Sequence, residues 1–418
     1  MTSTSDRSST RPERSLEQVY RAEWGRLLSL LVSGSRRLDL AEDALSEAFA
    51  RAAQRWPTDG VPTNPAGWLY STAHRQIIGQ LRAEDIAGRK APLLALRPGW
   101  VPAGDPQEQL ADDRLHLTVL CCHPALPRES RSALALRLVI GTPTEQIARL
   151  FLVSPTTMAA RLTRAKKKIV LAGIPLGAPI DDELRSRLDE VCRTVYLAFT
   201  AGYTPATGPD LVRADLAGEA VRLAAILHNL VPDAPQVHAL HGLLLLQHSR
   251  RDARQHDGRL VTLADQDRSK WHDDEIGAGL QLVGRLEPAD GYADELRLQA
   301  LIAAEHARAP TSAATNWTEI AGHYAILEGR TGSAIVRLNR AVAVAEAHGP
   351  HAGLALLAGL DDILDTSHRL AAVRGELAFR AGDTELARTS YRRALELCGN
   401  EIERAHLCAR LAEIDTAS

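Results

Sequence analysis

The segment Thr142 to Val170, TPTEQIARLFLVSPTTMAARLTRAKKKIV, concentrates side chains that could act on a polyanion. From Arg161 to Lys168 there are five basic residues and no acidic one. Three of the chain's five lysines, Lys166, Lys167 and Lys168, lie in this run. Lysine neutralises phosphate, arginine can chelate the O6/N7 edge of guanine, and threonine can bond phosphate or touch a thymine methyl. Thr156, Thr157, Arg161, Arg164 and the three lysines are therefore candidate DNA contacts.

Two helices must position them. Thr142, Pro143 and Glu145 supply an N-cap, a first-turn proline and a capping-box glutamate. They predict a helix over 144–151 with Ile147, Ala148 and Phe151 facing inward. After a three-residue turn, Ser154-Pro155 starts a second helix with the same signals. Met158, Leu162, Ala165 and Ile169 form its buried stripe, and Thr157, Arg161, Arg164 and Lys168 fall on the opposite face. Two short helices, a tight turn and a basic outer face describe a helix-turn-helix.

The whole chain has 418 residues, 45% hydrophobic and 24% charged, which is globular and excludes a disordered or collagen-like polymer. Aromatics are only 4%, so the core is built from Leu, Ala and Val, and an all-α fold is expected. Residues 1–175 carry a balance of +7 and the remainder −10, an asymmetry that points to nucleic-acid contact by the first part. Five cysteines without a CxxC pair predict a reducing compartment. Apolar runs such as Leu243 to Leu246 fall far short of the ~20 residues that span a bilayer, so a soluble, cytoplasmic protein without membrane partners is expected.

The first block carries Asp39 as a cap with Glu42 three residues on, then Leu45, Ala48, Phe49, Ala52 and Trp56 at helical spacing. Pro57 to Pro62 reads as a break. Asn64-Pro65 opens a helix with Leu69, Ala73, Ile77 and Leu81 on one face. Seven prolines and glycines from Gly88 to Pro106, both ends counted, read as a linker.

These motifs together resemble the extracytoplasmic-function subfamily of bacterial RNA polymerase sigma factors. Thr157, Arg161, Leu162, Arg164 and Ala165 match the recognition-helix pattern of its region four. AEDALSEAF (Ala41 to Phe49) resembles the region-two helix that docks on the polymerase β′ clamp. NPAGWLYSTAHRQIIGQLR (Asn64 to Arg82) resembles the segment that melts the minus-ten element. CCHPAL, AKKKIVLAGIP, VRADLAGEAVRLA, DQDRSKW and NRAVAVAEAHGP are similar to the subgroup with a long tetratricopeptide-like extension. The sequence departs from the pattern at Ser46, Arg75, Gly79, Leu152, Thr156 and Ala160, which leaves its promoter sequence open.

The resemblance implies a plan: a disordered tail over 1–14, region two over 15–87, a linker over 88–108, region four over 109–175 and a helical extension over 176–418. It implies polymerase binding, to the β′ clamp and β subunits, through Glu42, Asp43, Ser46 and Glu47. Asn64, His74, Arg75 and Arg82 would lie near the minus-ten strand, with the loop Pro57 to Asn64 capturing an unstacked base. The helix-turn-helix would read the minus-thirty-five element. A helix-turn-helix regulator with a helical-repeat sensor, binding DNA as a dimer without polymerase, is the alternative.

In the extension, Gly375, Ala387, Tyr391 and Ala394 have tetratricopeptide spacing, and Gly322, Ala334, Leu338 and Ala341 repeat those intervals 53 residues earlier. The usual period is ~34, and a further helix over about 352–364 is expected to fill the difference. Asp265, Asp267, Arg268 and Trp271 form a polar-plus-aromatic segment suited to an interdomain contact. The extension is expected to brace the two sigma regions and leaves room for a protein partner.

Other constellations are weaker. Cys121, Cys122, His123 and His116 lack zinc spacing, and the histidines from His228 to His256 contain no HExxH. No nucleophile elbow or phosphate-binding glycine loop is present. No metal, cofactor or enzymatic activity is expected.

Overall fold

The computed structural model describes residues 10–86, 117–151, 153–171, 180–203, 214–256 and 259–416. The expected linker lies outside the described residues, as do Leu152 and His116. Two compact units divide the chain between Ala198 and Phe199.

The first unit opens with three mutually packed helices, α1 (Thr10–Ser35), α2 (Leu38–Asp59) and α3 (Pro65–Ile86). Helix α1 starts inside the expected disordered tail. The apolar spacing buries Trp24, Leu27, Leu28 and Leu31 of α1 against Leu45, Ala48 and Phe49 of α2 and Leu69, Ala73 and Ile77 of α3. Tyr20, Trp24 and Phe49 form an aromatic cluster with centroids 4.9–5.9 Å apart. Pro57 does not break α2, which runs on to Asp59 and ends at Gly60 with φ +81°. A proline one turn from a helix end removes only one ladder bond, and the buried Trp56, edge-on to Trp68 at 5.7 Å, holds that last turn. The loop before α3 is thereby shortened.

Helices α4 (Arg128–Leu138), α5 (Thr144–Leu150), α6 (Pro155–Leu171) and α7 (Ile180–Tyr203) follow. Helix α7 belongs to the first unit as far as Ala198. Its Glu190 pairs with Arg128 at 2.9 Å, and Arg187 donates to the Val119 carbonyl at 3.1 Å. The Thr194 hydroxyl lies 3.5 Å from Cys122 Sγ and 3.4 Å from the Ser132 hydroxyl. The start expected for the extension thus packs on the segments that precede the helix-turn-helix.

The second unit contains α8 (Ala214–Leu230), α9 (Pro235–His248), α10 (Asp273–Val283), α11 (Gly291–Arg308), α12 (Trp317–Thr331), α13 (Ala334–His348), α14 (Pro350–Leu356), α15 (His368–Arg380), α16 (Thr384–Leu397) and α17 (Glu401–Thr416). Most sequence neighbours pack side by side. A small antiparallel hairpin, β1 (Gln255–His256) with β2 (Arg259–Leu260), interrupts them. The α15–α16 pair has the expected small-residue grammar. A Cβ on Gly375 would lie 2.7 Å from the Tyr391 ring, and Ala387, Tyr391 and Ala394 are buried. Its earlier counterpart α12–α13 buries Leu338 and Ala341, but Gly322 meets nothing within 4 Å. The expected helix over 352–364 is the shorter α14, beginning at Pro350; Gly359, at φ +76°, lies in the turns beyond it.

Candidate nucleic-acid interface

The Ser154 hydroxyl caps α6, accepting from the Thr157 amide at 3.1 Å. Met158, Leu162, Ala165 and Ile169 are buried as a stripe, which turns Thr156, Thr157, Thr163, Arg164, Lys167 and Lys168 to solvent. Two expected contacts are already engaged. Arg161 lies 3.1 Å from Glu129 of α4, and Lys166 Nζ lies 2.9 Å from Glu42 Oε2 of α2. The preceding helix is capped differently from expectation. Thr142 Oγ1 is buried without a hydrogen-bond partner, and the first turn is closed by the Gln146 and Ile147 amides donating to the Pro143 carbonyl.

On α2, Asp43, Ser46 and Glu47 are exposed. Glu47 accepts from Arg51 at 3.1 Å. On α3, Asn64 caps the helix by accepting from the Gly67 amide at 2.8 Å. Arg75 and Arg82 are exposed. His74 is half-buried and stacks on Tyr70 at 5.5 Å; burial pushes its pKa down, so the ring is neutral near pH 7. Between α2 and α3 lies a cleft of about 410 Å³ lined by Arg51, Arg55, Trp68, Thr72, Arg75 and Gln76. Guanidinium groups beside an indole suit a single strand, whose phosphates pair with arginine and whose bases stack on aromatic faces.

Three stretches of the chain match known families. Residues 19–86 match sigma-70 region 2, residues 116–169 match sigma-70 region 4, and residues 187–287 match DUF6596, a family of unknown function. The chain is a sigma factor of the extracytoplasmic-function type with a C-terminal helical extension. As such it is a transcription initiation factor and not an enzyme. It is 39% identical over 388 residues, 90% of each chain, to the Uncharacterized protein R00370 of Rhizobium meliloti (strain 1021), and belongs to the same family. It is 29% identical over 178 residues to the Probable RNA polymerase sigma factor RfaY of Xanthomonas campestris pv. campestris. That match covers 41% of this chain and 42% of the relative. No solved structure matches. Among the described residues no helix is long and apolar enough to cross a membrane.

The sigma factor's structure gives three of the expected site groups partners within the chain. Glu42 is buried, its side chain 9% exposed, and it points at Lys166 instead of presenting a polymerase-facing charge. The same contact removes the expected capping box. Helix α2 begins after Arg37 with no side-chain cap, and Asp39 pairs with Arg37 at 2.8 Å. The bond from Arg37, aided by its charge and by backbone amides, holds the Asp39 carboxyl below its usual range despite burial. Lys166 is likewise committed to a carboxylate and is a weaker candidate for phosphate than Lys167 or Lys168. In the extension, Arg268 is used inside the second unit. It donates to the His306 and Ala309 carbonyls at 2.8 and 2.7 Å and lies 4.4 Å over the buried Trp271 ring. A cation on the last carbonyls of α11 is a C-terminal cap. Asp267 caps the following 3₁₀ turn through Ser269, and Asp265 accepts from Thr262. The segment therefore has a local structural role.

Arg51, Arg55, Trp68, Thr72 and Gln76 escaped the sequence reading because they sit on two helices. The i to i+4 steps Arg51–Arg55 and Trp68–Thr72–Gln76 were the available signal. Cys121 and Cys122 are buried, and burial pushes both thiols up, Cys122 to about 12. His123 Nδ1 accepts from the Ala125 amide at 3.1 Å. Elsewhere, ligand atoms of His368, Cys398 and Glu403 lie within 4.8 Å of one another. His368 pairs with Glu403 at 3.0 Å. Burial alone would raise the Glu403 carboxyl, but the bond and charge of His368, with Arg369 and Arg254, hold it low. Those arginines already balance the carboxylate.

Proposed function

We propose that this sigma factor docks on core polymerase through Asp43, Ser46 and Glu47 of α2, against the β′ clamp. Helix α6 reads the minus-thirty-five element through Thr156, Thr157, Arg161 and Arg164, while Lys167 and Lys168 neutralise phosphate. Asn64, Arg75, Arg82 and the neutral His74 lie along the minus-ten strand, and the arginine-and-tryptophan cleft receives one of its bases. The observation that carries this reading is the pairing of two exposed faces. One is the basic face of α6 opposite a wholly buried stripe, and the other is the acidic patch on α2.

The fused extension modulates activity in cis by bracing the sigma regions. A reporter assay comparing the full chain with a truncation after Ala198, at matched protein levels, tests this. The cut belongs there because α7 completes the first unit as far as Ala198. Lower output from the truncation supports bracing, and higher output would reverse the sign of the proposed role. Core association is tested by pull-down with an Asp43→Lys/Glu47→Lys variant.

A further inference from the structure

Away from the nucleic-acid surfaces, three helix ends of the second unit bring metal-ligating side chains together. His368 is the first residue of α15, Cys398 follows the last residue of α16, and Glu403 lies in the first turn of α17. An imidazole nitrogen, the sulfur and a carboxylate oxygen of these three all lie within 4.8 Å of one another. His368 Nε2 is 3.0 Å from Glu403 Oε2. Buried Asn400 fixes the backbone around them. Its side-chain oxygen accepts from the amides of Ile402 and Glu403, both at 3.0 Å. Its carbonyl accepts from the Cys398 thiol at 3.5 Å. Arg404 donates to the Leu395 carbonyl at 2.6 Å and ties α17 to the last turn of α16. Cys398 is 8% exposed, against 24% and 19% for the side chains of His368 and Glu403. The sulfur therefore sits inside, and the other two ligands lie at the solvent edge, where an ion can enter.

The donor set selects the metal. A thiolate and a carboxylate carry two negative charges, which a divalent ion cancels. Sulfur, imidazole and carboxylate together suit a borderline-soft ion, and zinc takes all three. Bonds of about 2.0–2.3 Å to a tetrahedral zinc place its ligand atoms about 3.2–3.8 Å apart. The imidazole and carboxylate already stand at nearly that separation, and the sulfur has at most about 1 Å to close. Arg254 and Arg369 keep Glu403 ionised, which is its ligating form. Burial disfavours the Cys398 thiolate, while the charge of Arg404 favours it. We infer that His368, Cys398 and Glu403 form a zinc site, with water in the solvent-facing fourth position, that fastens α17 to α15 and α16. On binding, the thiol proton passes to solvent, and the ion takes the place of the proton between Nε2 and Oε2. The sequence reading expected no metal because the ligands are 30 and 5 residues apart and no motif joins them. This inference stands apart from the sigma role, since all three ligands belong to the second unit.

The test takes the full chain, strips it with a chelator and titrates it with Zn²⁺, or with Co²⁺ as a coloured substitute. Wild-type protein is expected to retain one equivalent of zinc through gel filtration and to melt at a higher temperature with zinc than without. With Co²⁺ it should show a sulfur-to-cobalt charge-transfer band beside the visible bands of a tetrahedral ion. Cys398→Ser and His368→Gln should each weaken zinc binding about a hundredfold or more, since loss of even an outer partner costs about 10- to 100-fold. Cys398→Ser should also erase the charge-transfer band. Cys408 is exposed, and Cys408→Ser should change neither affinity nor spectrum. Circular dichroism of the metal-free variants checks their folding. Failure of the wild-type chain to retain stoichiometric zinc, or a cobalt spectrum without the sulfur band, would overturn the site whether or not the variants fold. Binding that survives both ligand variants, or that Cys408→Ser abolishes, would overturn it as well.

Discussion

Arg161 is the side chain on which base reading can be tested most sharply. If it chelates a guanine, Arg161→Ala removes a bidentate contact worth about 1–3 kcal/mol of discrimination at that base pair. The structure adds a competing term, because Arg161 lies 3.1 Å from Glu129. Glu129 is 72% exposed, and an ion pair so wet contributes only about 0.2–1 kcal/mol. Arg161 gives up that pair on the correct base and keeps it on a wrong one. The net discrimination is then roughly 1–2 kcal/mol, or about five- to thirtyfold. Glu129→Gln releases Arg161 and should raise holoenzyme affinity for the correct minus-thirty-five sequence by about 1.4- to 5-fold. The assay is competition binding of the reconstituted holoenzyme at fixed salt, over all single-base variants of the element. Equal loss on every variant for Arg161→Ala would show that the side chain grips phosphate only. Weaker binding by Glu129→Gln would show that Glu129 orients Arg161 for DNA and does not compete with it.

Reversing charge at Asp43 and Glu47 should abolish core-polymerase pull-down with the circular dichroism spectrum unchanged, and undiminished pull-down would contradict the docking assignment. Replacing Lys167 and Lys168 by Gln should weaken promoter binding about equally across sequences and flatten the salt slope by about 1.8, with Lys166→Gln flattening it less because Glu42 holds that ammonium. A chain cut after Ile174 should be less soluble than one cut after Ala198, because the shorter one strips Arg187, Glu190 and Thr194 from Val119, Arg128 and Cys122; equal thermal stability of the two would argue against α7 completing region four. In the extension, burial pushes His241 and His306 down to about 4, with neighbouring histidines adding to the effect at His241 and Arg250 and Arg268 at His306. The unfolded chain takes up these protons near pH 6.5 and the folded one near 4. Stability is therefore full above about pH 6.5 and is lost as pH falls toward 4. Thermal melts of the full chain should show this slope, and His241→Gln should reduce it.

The features legible in the sequence were those encoded within one or two helical turns. Ser154, Pro155 and the Met158–Leu162–Ala165–Ile169 stripe placed α6, and Asn64-Pro65 placed the start of α3, because caps and periodicity are local. Glu42 misled for the same reason. Its spacing from Asp39 satisfies a capping box, but a lysine 124 positions away competes for the carboxylate and wins. Thr142 likewise has capping chemistry yet ends buried with its hydroxyl unpaired. Pro57 reads as a breaker, but Trp56 packing on Trp68 carries the helix through it. The arginine-and-tryptophan cleft depends on α2 and α3 lying side by side, and neither segment alone signals it. The Arg268 and Trp271 segment shows the limit of composition, since a polar-plus-aromatic stretch serves equally to cap a helix or to meet a partner.

The sigma role is put to the test by run-off transcription with the purified full chain, core RNA polymerase and a library of promoter fragments. Promoter-specific transcripts that require both proteins are expected, with no stable binding of the free chain to duplex DNA. Tight binding of the chain alone to palindromic duplex, together with no transcripts above those of core polymerase, would contradict it.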